Sequence, residues 1–135
     1  MKRMFILPLL IIAAFAISAC GHDAHSEHMS MDSSGAEMLK VNILTASDAF
    51  NAGTQGKIEI KVTQGKKNVT DATEVKFQVW KDDQKDQSKM LKGKGGKGGV
   101  YSANYTFPES GSYHVIAHVT ANGSHTMPEK TFTVQ

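Results

Sequence analysis

Residues 111–127 read Gly-Ser-Tyr-His-Val-Ile-Ala-His-Val-Thr-Ala-Asn-Gly-Ser-His-Thr-Met. Tyr113, Val115, Ala117 and Val119 fall on alternate positions, the period of a strand with one buried face. Asn122-Gly123 is the strongest short hairpin signal, a two-residue loop between paired strands. That loop sets Ala121 opposite Ser124, Thr120 opposite His125 and His118 opposite Met127. Continued outward, the same register sets Phe132 opposite Tyr113, both on the apolar face. Directly opposed residues and i, i+2 neighbours share a sheet face. His118, His125 and Met127 are therefore expected together on the outer face, with His114 further along it.

The same period recurs on both sides of this hairpin. Leu39, Val41 and Ile43 alternate with Lys40 and Asn42, and Ile58, Ile60 and Val62 with Lys57, Glu59 and Lys61. Val75, Phe77 and Val79 alternate with Lys76, Gln78 and Trp80, and Tyr101, Ala103, Tyr105 and Phe107 form another face. Phe132 and Val134 close the chain. Turn chemistry separates these runs at 51–56, 65–68, 93–99 and 108–111. Glu109-Ser110-Gly111-Ser112-Tyr113 resembles the tyrosine corner of immunoglobulin-like domains, and Val115 stands where antibody domains carry their second cysteine. The expectation is all-β: an Ig-like antiparallel β-sandwich of about seven short strands, without a disulfide.

The N-terminal end is different material. Lys2 and Arg3 precede an apolar run from Phe5 to Ile17, a secretory signal too short to span a bilayer comfortably. Ile17-Ser18-Ala19-Cys20 resembles the lipobox of bacterial lipoproteins, which implies a signal peptide over 1–19, cleavage before Cys20 and a lipid on its sulfur. The protein is then an extracytoplasmic lipoprotein at the outer face of the cell membrane, stably held where two or more acyl chains are attached. Residues 20–37 are polar and aperiodic and read as a flexible tether, reaching roughly 20 Å on average. The domain occupies 38–135.

Composition excludes several classes. The chain has 135 residues and one cysteine, enough for a single domain and too few thiols for an internal disulfide or a thiolate-rich metal site. Lys+Arg number 15 against 13 Asp+Glu, and Lys2 and Arg3 supply the whole excess. A neutral domain does not read as a nucleic-acid binder. The lysine-rich stretch from Lys81 to Lys97 reads as a solvated, charge-protected edge strand and loop. No acid pair, serine elbow or free cysteine suggests catalysis, so a monomeric non-enzyme is expected.

Histidine and methionine are the unusual inventory. All six His follow Cys20, as do Met29, Met31, Met38, Met90 and Met127. Imidazole and thioether together suit copper, above all Cu(I), better than zinc or calcium. Within the domain the candidate ligands are His118, His125 and Met127. His114 is a further candidate, and Trp80 is a nearby aromatic whose π face could shield a bound cation. The tether adds His22, His25, His28, Met29 and Met31, a run that can collect metal weakly.

The segment Gly98-Gly99-Val100-Tyr101, Gly111 through Ala121 and His125-Thr126-Met127-Pro128 resembles the YtkA-like domain, related to FixH-like proteins. The resemblance implies a small Ig-like lipoprotein associated with copper handling for respiratory oxidases. It maps His118, His125 and Met127 onto the family's His and His-x-Met positions, and Met90 onto a Met in the preceding strand region. Many relatives have a His near that Met, whereas Gln87-Ser88-Lys89-Met90-Leu91 has none. The implied function is buffering or delivery of copper to an acceptor such as a respiratory oxidase or its assembly factors. The competing expectation is a metal-free Ig-like adhesion or assembly module.

Overall fold

A computed structural model describes residues 37–135. The expected signal peptide, the lipid-bearing Cys20 and the tether candidates His22, His25, His28, Met29 and Met31 lie outside the described residues. Ten β-segments follow in order: β1 (Leu39–Ile43), β2 (Gln55–Gln64), β3 (Lys67–Asn68), β4 (Glu74–Lys81), β5 (Lys89–Lys92), β6 (Lys94–Gly95), β7 (Val100–Thr106), β8 (Gly111–Ala121), β9 (Ser124–Thr126) and β10 (Glu129–Val134). One sheet has the order β1-β2-β7-β6 with β3 also on β2, and the other β10-β8-β4-β5 with β9 also on β8. Every ladder between these strands is antiparallel. This is the expected Ig-like sandwich without a disulfide.

The alternating apolar residues meet between the sheets. Ile58, Ile60 and Val62 of β2 face Phe77, Val79, Val115 and Val119 of β4 and β8, all essentially inaccessible to solvent. One end of this core is aromatic. Phe50 packs on Phe107 and Phe132 at ring-centroid distances of 4.6 and 5.2 Å, and Phe107 meets Tyr113 edge-on at 4.9 Å, an arrangement aromatic quadrupoles favour. The segment carrying Phe50 also covers the free edge of β10. Thr133 N donates to Ser47 O at 2.7 Å, Ala52 N to Gln135 O at 2.7 Å and Gln135 N to Phe50 O at 3.0 Å. Such cover removes an exposed strand edge that would otherwise template aggregation.

The hairpin register is the one read from Asn122-Gly123. Val119, Thr120 and Ala121 pair with Thr126, His125 and Ser124, and Phe132 pairs with Tyr113. Asn122 and Gly123 both take positive φ, 49° and 76°, as a type I′ loop requires. β9 and β10 therefore lie along one edge of β8 in a single register, interrupted at Met127-Pro128. Pro128 has no N–H to offer the ladder, but its carbonyl accepts from Ala117 N at 3.0 Å. The lysine-rich stretch makes two edge strands, β5 of one sheet and β6 of the other, with Lys89, Lys92 and Lys94 exposed. Gly96 lets the chain turn at this crossover. Its φ is +116°, and a Cβ there would sit 2.5 Å from Thr70 O.

Two tyrosines fasten the loops. Tyr113 Oη donates to Glu109 O at 3.0 Å, the expected tyrosine corner. Tyr101 does more: its Oη donates to Val69 O at 3.0 Å and accepts from Ala72 N at 2.9 Å, tying the β3–β4 connection to β7. Removing the Tyr101 hydroxyl strands two backbone groups, and removing that of Tyr113 strands one. Tyr101→Phe should lower the unfolding free energy by about 1–3 kcal/mol, and Tyr113→Phe by about 0.5–1.5 kcal/mol. Urea unfolding of the two variants checks the order; equal effects would contradict it.

Candidate metal centre

Even-numbered residues of β8 point away from the core, so His114, Ile116, His118 and Thr120 share the outer face of their sheet. Register places Trp80 beside His114, Gln78 beside Ile116 and Lys76 beside His118 on β4. His125 lies opposite Thr120 on the other side. Met127 follows two residues later, still in the hairpin register and on the same face.

His118 and His125 form a pair with ring centroids 6.2 Å apart and planes inclined at 38°. An ion sits ~2 Å from a ligating imidazole nitrogen. Two rings gripping one ion from nearly opposite sides would have centroids ~6 Å apart on that bond length. Each ring has one nitrogen engaged by a neighbour. His118 Nε2 donates to Gln78 Oε1 at 3.1 Å, and the Gln78 amide is held in turn because its Nε2 donates to Ser88 Oγ at 3.0 Å. His125 Nδ1 meets Thr120 Oγ1 at 2.7 Å. That leaves Nδ1 of His118 and Nε2 of His125 uncommitted. An outer neighbour holding the far nitrogen fixes the tautomer and orients the ring of a metal-binding histidine.

Electrostatics agree with this division. Burial, and secondarily the nearby His125, pushes the His118 pKa below the ordinary imidazole value. His118 is therefore neutral at neutral pH, the form that binds metal. Met127 offers its thioether at the surface, 55% exposed. Pro128 restricts it to extended backbone, which keeps its side chain on this face. Among the described residues no group of three or more His, Cys, Asp or Glu is placed to hold an ion.

The other candidates are placed elsewhere. His114 Nε2 lies 3.0 Å from Asp82 Oδ1 and Nδ1 lies 2.9 Å from Glu129 Oε1. Both nitrogens are thus committed as donors, leaving none to bind metal. Its ring stacks on Trp80 at 5.2 Å and 10°, and Lys85 Nζ lies 5.3 Å from the Trp80 ring centroid. Trp80 therefore shelters His114 and not the His118–His125 pair, four residues away along β8 or on the order of 13 Å. Met90 is on the same outer face but pairs with Gln78 from β5, so β4 separates it from His118. The structure does not bring Met90 to the pair. Gln78 and Thr120, which hold the two rings, were not singled out from the sequence. The only sign there was that both fall on outward-facing positions.

The YtkA-like family profile matches residues 33–118. The chain belongs to the YtkA-like family. The match includes β1 through most of β8 and ends at His118, so His125 and Met127 lie beyond it, and their grouping rests on the hairpin register. No curated protein matches the chain significantly. Among solved structures, an engineered protein superposes on this YtkA-like domain with TM-score 0.56 and 16% identity over 73% of this chain, which spans only 20% of that protein. The Lin-41 filamin domain superposes with TM-score 0.51 and 14% identity, over 74% of this chain and 97% of that domain. The PmoD soluble domain from Methylocystis sp. ATCC 49242 aligns at TM-score 0.46 and 15% identity, over 73% of this chain and 92% of that one. That last superposition is too loose to bear on fold or function.

The His114 cluster makes a prediction about stability in this YtkA-like domain. Its pKa is raised, chiefly by the hydrogen bond to Asp82; burial opposes this as the next largest effect, and the hydrogen bond to Glu129 adds to the rise. A raised folded-state pKa contributes stability that is fully present below the unfolded value, ~6.5, and lost as pH rises through the folded value. The Tm difference between the protein and its His114→Gln variant should therefore be largest below about pH 6.5 and shrink as pH increases. A difference that grows with pH would contradict the ion triad.

Proposed function

We propose that this YtkA-like protein binds Cu(I) through His118 Nδ1, His125 Nε2 and Met127 Sδ, and buffers it or passes it to an acceptor outside the cytoplasm. The observation that carries the reading is the matched pair of histidines. Each has one ring nitrogen held by a neighbour and one left free, on the same face as an exposed methionine. Two imidazoles and a thioether are soft to intermediate donors, suited to Cu(I) over Zn(II), calcium or magnesium. Copper is here a cargo. A site at the surface suits delivery, because an acceptor can replace its ligands one at a time.

The family resemblance supports an acceptor such as a respiratory oxidase or one of its assembly factors. A lipid on Cys20 would hold the domain near such a membrane-bound partner. The His/Met run at 22–31 would offer a weak collecting segment upstream of the domain. Binding and handover, with no reaction catalysed, is the role assigned. Met90 is not part of the proposed ligand set.

The test is competition for Cu(I) against a chromogenic chelator, using the full chain with Cys20, His22, His25, His28, Met29 and Met31 replaced by Ser. A His118→Ala, Met127→Ala double variant should lose most of the remaining affinity. Gln78→Ala, which frees the His118 ring without removing a ligand, should weaken binding ~10-fold, the lower end of what outer-neighbour substitutions cost. Because the His118 pKa is depressed, proton competition at that ring should set in only below the ordinary imidazole range, ~6.5. Affinity unchanged in the double variant would end the copper reading and leave a metal-free Ig-like module.

A further inference from the structure

The sheet that carries β8 is closed at one edge and open at the other. The segment around Phe50 covers the β10 edge, whereas among the described residues no strand lies beyond β5. Gly93 N donates to Val75 O at 2.8 Å, directly opposite it in the β4–β5 register. Backbone groups alternate sides along an antiparallel ladder, so Leu91 and Lys89 also turn theirs to β4. Met90 and Lys92 turn their N–H and C=O outward. In the other sheet, β6 reaches along β7 only to Ser102, and the same alternation leaves Asn104 on the open side of β7.

A groove of about 460 Å³ runs between these two edges, with Leu91 and Lys92 on one side and Ala103 and Asn104 on the other. A smaller hollow of about 220 Å³, reaching Lys89 and Tyr105, continues it along the flank. The floor is apolar, because Leu91 and Tyr105 pack against the core and Ala103 belongs to it. The rim is basic. From Gln87 to Pro108 the chain carries Lys89, Lys92, Lys94 and Lys97 and no Asp or Glu. Lys92 stands directly opposite Lys76, and like charges so opposed cost stability. Glu74 neutralises Lys76 at 2.7 Å. Among the described residues no carboxylate pairs with any of the other four lysines.

We propose that β5 is a docking edge for an extended acidic segment of a partner protein, which joins the sheet as a further strand. The main chain of that segment bonds to the outward N–H and C=O groups of Met90 and Lys92. Its side chains alternate between faces. Apolar ones lie in the groove beside Leu91 and Ala103, and acidic ones stand on the outer face beside Lys92, with Lys94 at the end of the groove. Lysines on an edge repel neutral and basic strands, a second copy of β5 included. The same charges make this edge selective for an acidic strand. An anionic lipid headgroup answers the lysines alone and leaves the outward backbone groups and the apolar floor unused. The proposal does not depend on the copper reading.

The experiment titrates the full chain into a fluorescently labelled peptide, Glu-Val-Glu-Val-Glu-Val-Glu, and reads anisotropy, with amide hydrogen exchange locating the contact. Binding should slow exchange at Met90 and Lys92 and leave Leu91, already bonded to β4, unchanged. A Lys92→Glu, Lys94→Glu double variant should weaken binding about tenfold, through lost and reversed cross-strand charge pairs. Met90→Pro keeps every lysine and removes one outward N–H. Proline is tolerated on the open side of an edge strand, so Tm should hold while binding weakens. The peptide Lys-Val-Lys-Val-Lys-Val-Lys should not bind. Failure of the acidic peptide to bind, or protection at Asn104 in place of Met90 and Lys92, would overturn the proposal. Binding unchanged in Met90→Pro would overturn it too, as would association with phosphatidylglycerol vesicles and not with the peptide.

Discussion

Everything on the outer face depends on one register, that of β8 against the β9–β10 arm. Asn122 and Gly123 adopt the positive φ values of a type I′ loop, and that loop length admits only one pairing of the strands it joins. The same pairing buries Phe132 against the Tyr113 strand position and sends His118, His125 and Met127 outward. A slip of one residue would expose Phe132 and turn His125 and Met127 to the face opposite His118, because strand faces alternate strictly. The hydrophobic core therefore enforces the geometry of the polar site.

Two histidines four residues apart on one strand face carry opposite electrostatics. His114 lies between Asp82 and Glu129, over the Trp80 ring, and its pKa is raised, first by the hydrogen bond to Asp82. His118 has a carboxamide oxygen and a second imidazole for neighbours, and burial keeps it neutral. The His114 ring ties β4, β8 and β10 together, since its partners stand on or beside the two flanking strands. The neutral His118 ring keeps one nitrogen unshared, and the proposed site uses that lone pair. Identical residue types on one face thus shift in opposite directions, according to the groups that register places beside them.

Local signals in the sequence carried much of this. The alternation from Tyr113 to Val119, the Asn-Gly loop and the tyrosine corner are short-range features, and each appears in the fold as read. Contacts set by long connections were not legible. β4 and β8 are joined through β5, β6 and β7, so nothing short-range said that Gln78 would reach His118. Trp80 is turned outward as read, and the β4–β8 register, not a short-range signal, decides that it stacks on His114. Met90 shares the face as expected, yet β4 stands between it and the pair.

The central claim is that His118 and His125 grip one ion through the nitrogens their neighbours leave free. Ring ¹⁵N chemical shifts during titration with Cu(I), or with Ag(I) as a closed-shell substitute, test it most directly. The account predicts that His118 Nδ1 and His125 Nε2 shift together and saturate at one equivalent, while both nitrogens of His114 stay in place. Shifts at His114, or an unperturbed His118–His125 pair at saturating metal, would contradict it.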